Sequence, residues 1–191
     1  MFGLFKSKPP KAKIDYLVYR TEVAKYKMMV DDIRQKFSST KDVVVVCFFK
    51  DTYEQLLKLF EVSQVNKGDH DTKFTLFMYE EGEWKAFDGD YEMILADVHP
   101  LASVMQDILG YYSGKSSLTC YMSLDNAFFS LFGGERLISL LDSLGIGEYE
   151  SISHAMVDKS IDQAQKKIEA KVEFPKPANS IDEWMKLNVK E

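Results

Sequence analysis

Ser123 and Asp125 stand two residues apart and carry a hydroxyl and a carboxylate, two of the three groups a hydrolase uses. The third would be an imidazole. None of His70, His99 and His154 falls where a pattern supplies it, and such a triad is defined by geometry that spacing does not give. Asp88, Asp90 and Asp97 could serve Mg²⁺, but acids around Gly89 are more simply turn formers. Cys47 and Cys120 fall in apolar runs and read as buried free thiols of a reducing compartment. Two isolated cysteines and three scattered histidines give no metal spacing, so neither a metal ligand nor a catalytic residue is assigned. His99, followed by Pro100, comes at the end of an apolar run. In α/β folds that is where ligands bind. The simpler reading is a histidine at a helix start, bonded to nearby backbone.

The stretch that organises these groups is Val43-Val44-Val45-Val46-Cys47-Phe48-Phe49. It is apolar without alternation, the mark of a strand buried on both faces, and it is taken as the central strand of a helix-covered parallel sheet. Before it, Tyr16–Tyr19 is short and extended. Thr21 caps a helix to about Phe37 whose stripe is Val23, Tyr26, Val30, Ile33 and Phe37, with Lys25 and Lys27 on the solvated face. After it, Asp51-Thr52 caps a helix burying Tyr53, Leu56, Leu57 and Phe60, and 66–72 is a loop. Phe74–Tyr79 and Trp84–Phe87 read as a hairpin around Glu80–Glu83, near a sheet edge. Tyr91–Ala96 and Leu118–Leu124 are further strands, with a helix from Pro100 to about Leu109 and a loop from Gly110 to Ser117 between them. Short helices follow Asp125 and Glu135, the second stopped by Gly145. Ser153 caps a longer helix whose end, Gln165–Lys171, reads as solvated. Ser180 caps a last turn carrying Trp184, expected to dock on the core. This alternation predicts a three-layer α/β sandwich with a mainly parallel sheet.

At 191 residues the chain suits one domain, and its net charge of −6 opposes nucleic-acid binding, which needs a positive surface. The start, with Phe2, Leu4 and Phe5 ahead of Lys6, Lys8 and Lys11, is too short in its apolar part for a signal peptide. A cytoplasmic protein is expected. Residues 1–13 read as a basic flexible tail that touches an anionic membrane only weakly, without stable insertion.

Several stretches together resemble SecA, the preprotein translocase motor ATPase, in its second motor domain, the RecA-like helicase C-terminal half. Tyr19–Lys27 is similar to that family's Tyr-Lys-Thr-Glu-x-x-Lys-Tyr-Lys helix start, and Val43–Glu54 to its motif IV. Ile94–His99 resembles Ile-Gly-Thr-Glu-Arg-His, and Tyr121–Asp125 resembles Tyr-Leu-Ser-Leu-Glu. Phe132–Leu137, Leu141–Gly145 and Ile152–Lys167 continue the series in the family's order. The resemblance implies a RecA-like domain over 14–173 and leaves 174–191 as a tail with a short amphipathic helix.

It also implies what is lost. There is no phosphate loop, no Gly-Arg-Gly-Thr-Asp, and the stretch between Phe60 and Tyr91 is shorter than in the motor. The family's Arg-Gly-Arg-x-Gly-Arg is replaced by Leu109–Lys115, so the arginines that would stabilise a transferring phosphoryl group are gone. Lys115 stands in for one at most, without the bidentate fork. The expectation is therefore a non-catalytic SecA-like module binding an unidentified protein partner, without cofactor. Tyr111 and Tyr112, in the place of arginines, are its partner-binding candidates. The alternative is an ATP-binding subunit completing a site with another chain, through His99, Lys115 and the loop after Phe49. A membrane-surface adaptor using Phe2, Leu4 and Phe5 is a further alternative.

Overall fold

The computed structural model describes residues 13–37, 42–62, 74–87, 91–112, 118–130 and 134–189. The valine run is β2, Asp42–Cys47, and its residues from Val43 to Cys47 are fully buried. It pairs in parallel with β3, Phe74–Met78, on one side and with β4, Tyr91–Leu95, on the other. β4 pairs with β5, Leu118–Ser123, and β5 with β1, Ile14–Tyr19, all in parallel, giving the order β1-β5-β4-β2-β3. The middle strand is therefore β4, not the valine run. Burial on both faces marks an interior strand without saying which one.

Alternate residues of these strands feed two separate cores. One face carries Val43, Val45, Cys47, Ile94, Ala96 and Tyr121. It packs under α1, Glu22–Phe37, through Ala24, Met29 and Ile33, and under α2, Lys50–Val62, through Leu56. The other carries Val44, Val46, Met93, Leu95, Cys120 and Met122. It is covered by α3, Ala102–Tyr111, by the short α4, Ala127–Ser130, and by α6, Ala155–Glu169. α5, Gly134–Leu144, adds Leu141, and α7, Ile181–Asn188, adds Trp184 and Met185. The result is the expected three-layer α/β sandwich of RecA-like type, with an all-parallel sheet. Trp184 docks on the core, 3 % exposed.

Several expectations fail for identifiable reasons. The hairpin does not form. Gly82 makes the turn, with φ of 71°, but Glu83–Ala86 then winds into a 3-10 turn. Trp84 is buried there and its Nε1 donates to the Tyr79 carbonyl at 3.1 Å. β3 keeps an edge place, parallel to β2. In α1 Tyr26, Val30 and Ile33 are buried as expected, but Val23 is 71 % exposed and Lys25, expected in solvent, is 4 % exposed. Leu57 is likewise turned outward while Leu56 is buried. α6 is capped by His154, whose Nδ1 accepts from the Met156 amide at 3.1 Å, and not by Ser153. Gln165, expected in solvent, is buried because its Nε2 donates to the His99 carbonyl at 2.8 Å. Tyr111 closes α3 and Tyr112 caps it, so the chain is still helical where a loop was expected. Phe2, Leu4, Phe5, the loop 66–72, Asp88, Asp90 and Lys115 lie outside the described residues.

Candidate functional site

A parallel sheet delivers all its strands to one rim at their carboxyl ends, where open α/β folds bind ligands. Here β2 runs into Phe48-Phe49 and α2, β4 into Asp97-Val98-His99, β5 into Leu124-Asp125, and β1 into Arg20-Thr21 and α1. Thr21 Oγ1 accepts from the Ala24 amide at 3.2 Å and holds the start of α1 at this rim.

Asp97 is the buried charge of the rim. Its Oδ1 accepts from the Phe48 amide at 2.9 Å. The Phe49 amide and the Thr52 side chain also bond it, so its carboxylate sits at the amino end of α2. Amide groups at a helix start favour an anion, and the chain supplies its own. Burial outweighs these bonds and the Lys25 charge, raising Asp97 to about 6. Its Oδ2 has no hydrogen-bond partner. Lys25 would be costly to bury unpaired. Its Nζ lies 3.5 Å from Glu22 and 4.2 Å from the Tyr26 ring centroid, and its charge acts on Asp97.

His99 is half-buried among aromatics. It stacks on Phe49 at 5.9 Å and meets Phe48 and Trp184 edgewise at 5.6 and 5.5 Å. Nδ1 accepts from the Leu101 amide at 3.1 Å, the backbone-bonded state of the simpler reading. Desolvation lowers it to about 4, so the ring is neutral at pH 7. A neutral imidazole in an aromatic cage is a poor contact for phosphate.

The last segment of the chain crosses this rim. The Asn179 carbonyl accepts from the Asp51 amide of α2 at 3.0 Å. Asp182 Oδ1 accepts from the Ala127 amide of α4 at 2.7 Å, and Ser180 Oγ caps α7 through the Glu183 amide at 3.1 Å. Trp184 then lies against His99. Beside this segment a cavity of about 880 Å³ opens between the starts of α1 and α2, lined among others by Glu22, Val23, Tyr26, Asp51, Thr52, Asp125 and Asp182.

The remaining candidates do not converge. Tyr112 is buried, with its hydroxyl donating to the Tyr91 carbonyl at 3.4 Å, whereas Tyr111 is 57 % exposed beside Trp84 and Lys85. Ser123 is fully buried and its Oγ has no partner, while Asp125 Oδ2 accepts from the Glu22 amide at 3.0 Å. Cys47 and Cys120 are free and buried on opposite faces of the sheet, and desolvation raises both thiols. Lys25 and Gln165, expected in solvent, and Thr52, expected only as a helix cap, are buried polar residues. Each is a polar residue in a helix, and nothing in its neighbours marks it as the one turned inward. Among the described residues no helix is long and apolar enough to cross a membrane.

No protein-family model matches this chain. It is similar to the protein translocase subunit SecA of Pelobacter propionicus, with 50 % identity over 61 residues, 32 % of this chain and 7 % of that protein. The SecA of Trichlorobacter lovleyi gives the same identity over the same length and shares. A longer match, 27 % identical over 154 residues, joins 75 % of this chain to 16 % of the SecA of Geobacter sp. strain M21. In each case the match spans less than a fifth of the relative's length.

Proposed function

From its SecA-like relationship to part of a longer protein, we propose that this chain is a non-catalytic module that binds a protein partner in the cytoplasm and serves as an accessory to protein translocation. The relatives' name, protein translocase subunit, supplies the process. The observation that carries the reading is Asp97 at the start of α2. An internal carboxylate holds the Phe48 and Phe49 amides where an anionic ligand would bind, and the Asn179 carbonyl takes the Asp51 amide. A triphosphate would have to displace both and would meet the neutral His99 cage. Absence of a phosphate loop and of the family's arginines agrees with this. Tyr111, 57 % exposed beside Lys85, is the aromatic assigned to the partner contact.

The test is sedimentation of the purified chain with purified SecA from the same cell, in parallel with an ATP turnover assay of the chain alone. The reading expects a saturable complex, weakened by Tyr111→Ala, and no turnover above buffer. Failure to form the complex, or steady turnover, would overturn it.

A further inference from the structure

The cavity between the starts of α1 and α2 has a mixed lining with a clear order. Five carboxylates line it: Asp31, and Glu22, Asp51, Asp125 and Asp182 from four different segments. Asp125 and Asp182 are held in place by the Glu22 and Ala127 amides, bonds that fix the carboxylates without cancelling their charge. Lys25 offsets Glu22 from 3.5 Å. The cations of the lining, Lys27 and Arg34, both pair with Asp31, at 3.0 and 3.4 Å. Beside the acids, Val23 is 71 % exposed on a helix whose neighbouring Ala24, Tyr26 and Val30 are buried, and Tyr26 and Val30 continue the apolar wall. Behind that wall, Thr52 bonds both Tyr26 and Asp97. Asp97, 5 % exposed, keeps Oδ2 without a partner and adds a buried carboxyl group behind Thr52.

We propose that this groove docks a basic, apolar-anchored peptide segment of the protein partner. A lysine or arginine of the segment enters between the rim carboxylates and the adjoining apolar side chain lies on Val23. Charge complementarity sets the choice of occupant: an acidic segment meets repulsion, and a purely polar one leaves Val23 uncovered. The inference deepens the protein-binding reading above and rests on it.

The test is fluorescence anisotropy on the full chain with a labelled peptide of alternating leucine and lysine. Two controls replace its lysines by glutamate or its leucines by serine. The intact chain binds the leucine–lysine probe saturably, less tightly as salt rises, and binds neither control. Val23→Ser weakens the probe about fivefold, one exposed apolar contact, and Asp51→Asn about threefold, one exposed charge pair. Both positions are exposed, so both variants keep the wild-type thermal melt, which is recorded alongside. Equal binding of the glutamate peptide, or unchanged affinity in both variants, overturns the proposal. So does self-association of the chain that Val23→Ser abolishes, which would give the groove to a second copy. Absent probe binding with an intact SecA complex refutes the groove alone; loss of that complex as well refutes the broader reading.

Discussion

Asp97 and His99 lie two residues apart, and burial drives both toward their neutral forms, to about 6 and about 4. Their effects on stability have opposite signs. Folded Asp97 keeps a proton between pH 4 and 6 that the unfolded chain releases, so its contribution is greatest in acid and is lost as pH rises through 6. Folded His99 refuses a proton that the unfolded chain takes up below 6.5, so its contribution is lost as pH falls toward 4. The two slopes oppose each other in one window. Asp97→Asn therefore leaves the His99 slope exposed, and urea unfolding between pH 4 and 6.5 should show stability rising more steeply with pH than in wild type. An unchanged slope would mean that these two groups do not carry the titration. Because Lys25 lowers Asp97, Lys25→Met should move the Asp97 carboxyl midpoint above its wild-type value, read by carbon NMR. The sequence places Lys25 on the solvated face: helical spacing identifies Tyr26, Val30 and Ile33 as buried, whereas the exchange of Val23 for Lys25 at the start of α1 is set by tertiary packing.

Helix ends separate a legible signal from an illegible one. Ser180 was found as a cap because it stands before an amphipathic turn, and its Oγ bonds the Glu183 amide. Ser153 looked the same, yet His154 makes the bond one residue later. His154→Ala should cost about 1 kcal/mol in urea unfolding while Ser153→Ala stays near zero. The reverse ranking would restore Ser153. The acidic turn at Gly82 was legible as a turn and illegible in its consequence. Its signal is shared by hairpins and by strand-to-loop exits, and only the burial of Trp84 chooses between them. α7 is short, but Trp184 fixes it on His99. Trp184→Ala should cost about 3–5 kcal/mol, and loss of under 1 kcal/mol would show the helix to be peripheral.

Across the whole molecule, β2, β4 and β5 and the mainly parallel sense followed from apolar runs separated by helical patterns, whereas the expected hairpin strand at Trp84–Phe87 and the order β1-β5-β4-β2-β3 did not. Local sequence specifies that a strand is interior, and the neighbours come from long-range packing. The rim was likewise half legible. His99 was found at a strand end, but the closure of that rim by Asp97 and by the distant Asn179–Trp184 segment is a tertiary fact. The proposal of a SecA-like lobe that holds no nucleotide rests on that closure. Calorimetric titration of the intact chain with ATP and Mg²⁺ at neutral pH tests it most directly. The account predicts no saturable heat up to about 1 mM ligand; a binding isotherm with a micromolar Kd would contradict it.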